Sequence, residues 1–433
     1  MCVNIKYKQM FGGMAMTKER IDYKKLPNDN ILCVDMKSFY ATIEAVDRNL
    51  NPWKVPLAVV GNKERKGGVI LAATPAMKKK FNLGTANRAY QIPKNSDIII
   101  VEARMGLYVD VSIEITRLFN EYVPLDDIHV YSIDESWLKL NKEPKESWQT
   151  AKNIKNKLMK KFNLPSSMAL GPNMFLAKVA MDVEGKKKGL VRWTYADIEN
   201  KLWPLSLNDC WGIGNRLAKK FKKIGVKTMG DLAHLPLNYL ENKFGIMGNQ
   251  LYYHAWGVDL SKVEGHYLDK KKSIGRGITL YRDYTKIEEI KTVIFDLSEE
   301  VAKRARKNKV VGKTISLTLS YSKNELNKGF SRQKTINEYT NFSSDIYNTN
   351  LKLLKKYYSG EKVRKISVNL SNLISDKKIQ LSLFNNKNER VNLARTKDEL
   401  RDKFGHKSLF YGRSLKKSSI RNRINETIGG HKA

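Results

Sequence analysis

The run HVYSIDESWLKL at 129–140 constrains this 433-residue chain more than any other stretch. His129, Tyr131 and Ile133 alternate with Val130 and Ser132, and Trp137, Leu138 and Leu140 follow. That pattern reads as two short strands meeting at a turn. Two adjacent carboxylates, Asp134 and Glu135, sit in the middle of it. Burying an unpaired carboxylate costs several kcal/mol. The fold must therefore bring either a Lys or Arg or a metal ion to this turn. A second such pair, Asp398-Glu399, lies in the polar run ARTKDELRDKF and reads as a solvated helix face.

Charge narrows the partner. Lys plus Arg is 79 and Asp plus Glu is 44, a formal net charge of +35. A positive field of that size favours a polyanion, with nucleic acid ahead of an anionic membrane surface. The basic residues are spread along the chain, which suits a long groove better than a sticky tail. Cys2, Cys33 and Cys210 have neither disulfide nor zinc spacing, and the six histidines have no ligand spacing. No apolar run approaches the roughly 20 residues that span a bilayer. The N-terminus MCVNIKYKQMFGG lacks the apolar centre of a signal peptide. These readings describe a soluble, cytoplasmic protein without a membrane partner.

Along the chain, 1–28 reads as a loosely held basic arm. NILCVD (30–35) is an apolar run ending in Asp35, followed by a helix opening at Ser38. PLAVVG and GVILAAT read as buried strands, PAMKKKF as a helix with Pro75 near its start, and SDIIIVEA as a strand. A helix over about 107–122 precedes the carboxylate hairpin, and ESWQTAKNIKNKLMKKF gives an amphipathic helix after it. SSMALGP and MFLAKVAMDV continue as strand and helix. This alternation up to about 192 implies an α/β region around a mixed sheet. Residues 193–262 turn helical, with glycines ahead of helices in WGIGNRLAKKF and FGIMGNQLYY. From 272 the order is β-α-β-β-α-β, a split βαβ domain, and the last fifty or so residues read as polar and loosely tethered.

Asp35 and Asp134 lie 99 positions apart, on strands that one sheet can bring to a common edge. Three converging carboxylates without partners repel one another. Two Mg²⁺ ions, which take carboxylate oxygens and substrate phosphates, resolve this and drive phosphoryl transfer. CVDMKSFYATIEA (33–45), YSIDESWLKL (131–140) and GPNMFLAKVAMDVEGKKKG (171–189) together resemble motifs of the Y-family, the translesion DNA polymerases. Within it the match is to the bacterial branch of polymerase V catalytic subunits and UV-damage repair proteins. The resemblance covers about 30–385.

The resemblance implies an α+β multidomain right hand. Its palm would be 29–46 and 106–192, with fingers at 47–105 and a helix-hairpin-helix thumb at 193–262. A βαββαβ little finger would occupy 272–372, and a tail with a clamp-binding motif 373–433. It implies template-directed transfer of dNTPs to a primer 3′-hydroxyl past damaged bases, at low fidelity, in an SOS or UV response. Asp35 and Asp134 would ligate both Mg²⁺ ions, with Mn²⁺ able to substitute. Glu135 would ligate the catalytic ion, and Met36 would offer its backbone carbonyl. Phe39 and Tyr40 would meet the nucleotide, Tyr40 as the steric gate against a ribose 2′-hydroxyl. Lys79 and Lys186 would hold the triphosphate, although Ala76 replaces a tyrosine usual before the first basic position. The run 186–188 offers three lysines for one role, and both lysine runs also read as solvated faces.

Gly212, Gly214, Gly245 and Gly248 would grip DNA phosphates through backbone N–H groups. Arg276, Lys313, Lys323, Arg332 and Lys334 would track the duplex. QLSLF, with Gln380, Leu381, Leu383 and Phe384, resembles the pentapeptide that docks on a sliding clamp. An accessory subunit is a further partner the resemblance allows. Two other readings remain at this point. One is a non-catalytic factor occupying primer ends or clamps, against which the intact Asp35, Asp134 and Glu135 argue. The other is a two-metal nucleotide cyclase, which has no use for the thumb-like and clamp-like segments.

Overall fold

Alternating apolar side chains build the first sheet, and the same alternation carries its acids. The computed structural model describes residues 22–63, 67–94, 97–264, 272–378, 387–405, 408–422, 427–428 and 431–432. The chain divides into two compact units, Met1–Tyr267 and Leu268–Ala433.

The first unit opens with β1 (Ile31–Met36) and α1 (Phe39–Asp47). A three-stranded sheet follows, in the order β3-β2-β4, from β2 (Leu57–Val60), β3 (Ile70–Ala73) and β4 (Ile99–Glu102). Between β3 and β4 lies α2 (Pro75–Phe81), whose first turn is capped by the Thr74 hydroxyl accepting from the Met77 N–H. Next come α3 (Met105–Asn120), β5 (Ile128–Val130), β6 (Glu135–Lys139), α4 (Pro144–Phe162), β7 (Ser166–Gly171), α5 (Met174–Ala180) and β8 (Leu190–Arg192). The main sheet has the order β5-β6-β1-β7-β8, antiparallel except for the β7–β8 pair.

The two faces of β1 have different neighbours. Leu32 and Val34 join Leu138, Met168 and Leu170 in a cluster with Ile115, Leu118 and Phe119 of α3 and Ile154 and Leu158 of α4. Each such side chain, buried whole, contributes about 1.5–3 kcal/mol. Ile31 and Cys33 face the other way with Trp137 and Ala169, under α5 and the helices that follow. Those are α6 (Asn215–Lys222), α7 (Met229–Ala233), α8 (Leu237–Phe244) and α9 (Ile246–Ala255).

Residues 22–29, expected as part of a loose arm, pack onto the first unit. Leu26 is buried, and Tyr23 stacks on Tyr195 at 5.0 Å between ring centroids. The Tyr23 hydroxyl donates to the Trp256 carbonyl at 3.1 Å, and the Tyr195 hydroxyl to the Pro27 carbonyl at 2.7 Å. Two tyrosines thus strap 22–29 to the unit, which the polar composition of the arm concealed. Residues 1–21 lie outside the described residues.

The second unit realises the expected β-α-β-β-α-β order. Its elements are β9 (Ser273–Tyr284), α10 (Ile287–Lys307), β10 (Val310–Tyr321), β11 (Gly329–Thr340), α11 (Ser343–Tyr357) and β12 (Val363–Ser375). The antiparallel sheet runs β11-β10-β12-β9. Ile315, Leu317, Leu319, Ile366, Val368 and Leu370 turn one sheet face into the core with α10 and α11. The opposite face carries small polar side chains, including Thr314, Ser316 and Thr318 beside Ser367 and Asn369.

Residues 387–405 and 408–422 of the tail are not loosely tethered. A further helix, α12 (Lys387–Phe404), and residues 408–422 fold onto α10. Arg306 forks onto Asp398 at 2.6 and 3.1 Å, and the nearly buried Arg401 reaches Glu299 at 3.4 Å. Asp296, fully buried on α10, accepts from Ser414 Oγ and Ser419 Oγ at 2.7 Å each, and from the Ile420 N–H at 2.9 Å. The segment docks through charges and hydroxyls, so its polarity gave no sign of a packed face. Asp398, expected on a solvated face, is one of its fasteners. Among the described residues no helix is long and apolar enough to cross a membrane.

Candidate active site

Asp35 stands directly opposite Glu135 in the β1–β6 ladder, and Cys33 opposite Trp137. Alternation puts these side chains on the face covered by α5. Asp134 closes the β5–β6 turn. The Tyr131 and Ser132 N–H groups both donate to the Glu135 carbonyl, at 3.0 and 3.1 Å. The Ser132 hydroxyl donates to Asp134 Oδ1 at 2.7 Å, and the Met36 N–H to the Asp134 carbonyl at 2.9 Å. The turn is therefore fixed to the end of β1.

Asp35 and Asp134 confront each other electrostatically. Desolvation first, and repulsion by Asp134 next, push the Asp35 carboxyl up to about 6, against the pull of Lys186 and Lys178. Glu135 does not complete a triad with them. Its carboxylate turns to Lys178 Nζ at 2.6 Å and lies 3.8 Å from the Cys33 thiol. Lys178 also reaches Asp182 at 3.2 Å. Desolvation works against the Lys178 ammonium, but its bond to Glu135 and the nearby Cys33 and Asp182 hold it above its usual value. Among the described residues no three acids, histidines or cysteines form a ready ligand cluster. Of the two answers open at the sequence level, the lysine is the one observed. A lysine pairs Glu135, while Asp35 and Asp134 keep the mutual repulsion that a divalent cation relieves.

Lys178 was missed by the sequence reading, although a lysine inside the apolar run MFLAKVA was the available signal. The lysine runs also sort themselves. Lys78, not Lys79, approaches the site, donating to Ser38 Oγ at 2.8 Å. Desolvation lowers its ammonium; Asp35 opposes that and Lys186 adds to it. Lys79 is exposed on α2. Beyond α5 the helix widens into a π-helical turn, Met181–Gly185, before Lys186. Lys186 pairs with Asp182 at 2.7 Å and stabilises ionised Asp35, whereas Lys188 turns to Glu184 at 3.0 Å. The Lys37 ammonium donates to the Lys186 carbonyl at 3.0 Å.

Tyr40 is half-buried at the start of α1, which follows Ser38 in a left-handed conformation (φ 52°). Its ring stacks on Tyr108 of α3 at 4.4 Å and 14°. The Tyr108 hydroxyl donates to Glu44 at 2.7 Å. Glu44 is fully buried and held by Arg104, at 3.0 and 2.8 Å, and by Arg48. Desolvation would raise the Glu44 carboxyl, but these bonds keep it below its usual value. Phe39, also expected at the nucleotide, has its ring buried in the core beside Tyr40.

In the helical region, Cys210 to Ile213 form a turn closed by the Ile213 N–H on the Cys210 carbonyl at 3.2 Å. Gly212 takes φ +91° there and Gly214 caps α6. Gly245, at φ +62°, caps α9. Gly248 lies inside α9 rather than before it. A Cβ there would meet the Leu240 carbonyl oxygen at 2.1 Å, so the glycine serves the close packing of α8 on α9.

Three family models match this chain. The impB/mucB/samB family matches 34–182, its C-terminal domain 271–383, and the DNA polymerase-iota thumb domain 208–259. The putative UV-damage repair protein UvrX of Bacillus subtilis (strain 168) is 47% identical over 95% of this chain and all of its own length. DNA polymerase IV 2 of the same organism is 35% identical over 93% of this chain and 98% of its own. The chain belongs to the Y-family of DNA polymerases. A Y-family DNA polymerase chimera of Dbh and Dpo4 shares the fold, with a TM-score of 0.66 at 22% identity over 80% of this chain and 99% of that one.

In this Y-family chain the five basic residues expected to track DNA do not form one stripe. Arg276 stands opposite Val368, Arg332 opposite Leu317 and Lys334 opposite Ile315, all core positions, so these three share the parity of the helix-covered face. Arg332 lies over the Tyr357 ring of α11 and Lys313 over Tyr339, while Lys323 is exposed in the β10–β11 turn. Register, which sequence alone leaves open, decides these directions. Gln380, Leu381, Leu383 and Phe384 lie outside the described residues.

Proposed function

We propose that this chain is a translesion DNA polymerase that transfers dNTPs to a primer 3′-hydroxyl opposite damaged templates, at low fidelity, in the response to DNA damage. One observation carries the reading. Asp35 and Asp134 confront each other at one sheet edge, with Lys78 and Lys186 beside them.

That donor set fits Mg²⁺. Asp35, Asp134, Glu135 and the Met36 carbonyl are the proposed ligands of two ions, with Mn²⁺ as a substitute. When bound, the ions supply neutralisation of the triphosphate and activation of the 3′-hydroxyl. The protein's own groups do the rest. Lys78 and Lys186 bind the β- and γ-phosphates as compact point charges. The Tyr40 ring, backed by Tyr108, closes the space a 2′-hydroxyl would need. Lys178 holds Glu135 at the sheet edge. N–H groups at Gly212, Gly214 and Gly245 grip backbone phosphate without reading sequence.

The palm is assigned to 29–46 and 106–192, the fingers to 47–105, the thumb to 193–262 and the little finger to 272–372. The polar face of the little-finger sheet, with Ser316, Thr318, Ser367 and Asn369, offers neutral donors to the DNA backbone, and exposed Lys323 in the β10–β11 turn adds charge. QLSLF is the proposed sliding-clamp motif, and an accessory subunit is a further candidate partner. The test is primer extension on an abasic template with Mg²⁺, comparing the wild type with Glu135→Gln. Extension by the wild type alone supports the reading. Binding of primer-template by both without extension by either favours the non-catalytic DNA-binding factor.

A further inference from the structure

An aromatic wall joins the two turns on which the proposed reaction depends. Trp137 is fully buried on β6, and its indole N–H donates to the Met174 carbonyl at 3.0 Å. Tyr131, two residues after His129 in the carboxylate hairpin, sets its ring edge-on to Trp137 at 5.1 Å. Trp211 meets both, Trp137 at 5.7 Å and Tyr131 at 6.2 Å, again edge-on. Edge-on pairs at such separations attract beyond the area they bury, because the positive edge of one ring meets the negative face of the other.

Each end of the wall sits on constrained backbone. Trp211 occupies the second position of the Cys210–Ile213 turn, whose third residue is Gly212 at φ +91° and whose flanks, Cys210 and Ile213, are buried. A turn of that geometry fixes the direction of the side chain at its second position. Tyr131 is the first residue of the catalytic turn, and its N–H and that of Ser132 share the Glu135 carbonyl. Tyr131 remains 52% exposed, so burial does not account for where its ring lies. Trp211 packs against the buried core of the unit, which fixes that end of the wall.

We infer that Trp211 is a positioning residue: through Tyr131 it holds the Asp134–Glu135 turn in register with the Gly212 turn. Primer phosphate gripped at one turn thereby fixes the distance of the 3′-end from the carboxylates at the other. A misplacement of about 1 Å at a reacting centre costs about a hundredfold in rate, so a rigid spacer between the two turns has a use. The inference rests on the polymerase reading for its consequence, but not for its structural content.

Two measurements test it on the full-length chain. The first is single-turnover nucleotide addition at saturating primer-template and dNTP for Trp211→Leu, Tyr131→Leu, the double variant and Trp211→Phe. We expect each Leu variant to lose about tenfold or more in rate, with primer-template affinity changed less than about threefold. The double variant should be no worse than the poorer single one, because one unit has been broken, and Phe should restore most of the rate. Effects that multiply, or a loss confined to DNA affinity, would overturn the inference. Tyr131→Leu guards against misfolding of the Trp211 variant, since Tyr131 is half exposed.

The second measurement is hydrogen exchange at the Tyr131 and Ser132 amides without DNA. Both Leu variants should exchange faster there than the wild type, while core strand β1 is unchanged. Equal exchange in all three overturns the inference. This readout needs no catalysis, so it judges the wall even if the wild type extends no primer and the polymerase reading fails.

Discussion

Asp35 shows how one carboxylate can oppose the fold that holds it. Its pKa is pushed up to about 6, by desolvation and then by Asp134. Below pH 4 the group is protonated in folded and unfolded chains alike and makes no difference. Between about pH 4 and 6 the unfolded chain releases the proton while the fold retains it, so the metal-free protein loses stability across that window. The loss amounts to about 3 kcal/mol once the pH exceeds 6. Asp35→Asn should remove it: the stability gap between variant and wild type, measured by denaturant unfolding without metal, should widen by that amount from pH 4 to pH 7. Mg²⁺ should narrow the gap again at pH 7 by stabilising the wild type. An unchanging gap would mean Asp35 is not under this pressure. The acids themselves were legible because carboxylates in an apolar strand demand an explanation. Their basic neighbours were less so. Three consecutive lysines on a helix point about 100° apart, and nothing in KKK says which of them lies beside Ser38 and Asp35, as Lys78 does. Lys178 escaped because the motif drew attention to its acids rather than to the cation buried among apolar neighbours.

At the scale of elements, strands and helices with clear apolar periodicity were readable, and those held by polar contacts were not. β9 to β12, α10 and α11 follow in the expected order because each has one apolar face. α12 and 408–422 were read as loose because they dock through Arg401, Asp398 and serine hydroxyls. The anchor is Asp296, which accepts three hydrogen bonds from the tail while fully buried. Asp296→Ala leaves Ser414, Ser419 and the Ile420 N–H without their acceptor. The expected cost is about 3 kcal/mol, read as a lower denaturant midpoint, with new proteolytic cleavage between 405 and 422. Unchanged cleavage would mean the tail is held by something other than this carboxylate. Gly248 makes the complementary point. Its place ahead of a helix was inferred from spacing, whereas helix-to-helix approach decides its role.

For the whole molecule, the order of motifs fixed more than any one of them. Asp35, the Asp134–Glu135 turn and the lysine at 186 come from three separate stretches, and the ladder β6-β1-β7 brings them to one edge. A net charge of +35 gives a field that favours a polyanion, and screening makes low ionic strength the condition in which to assay it. The face each strand residue shows was not readable, since a slip of one residue reverses it. That is why the face shown by Arg276, Arg332 and Lys334 emerges only from the strand register. The central claim is that the carboxylate edge performs templated, metal-dependent nucleotide addition. It is tested most directly by single-nucleotide incorporation with Mg²⁺ on four primer-templates differing only in the templating base, for the wild type and Asp134→Asn. The account predicts addition of the complementary nucleotide by the wild type on each template. It also predicts a loss of about a thousandfold or more in Asp134→Asn, with primer-template binding retained. Equal incorporation by both proteins, or addition that ignores the template, would contradict it.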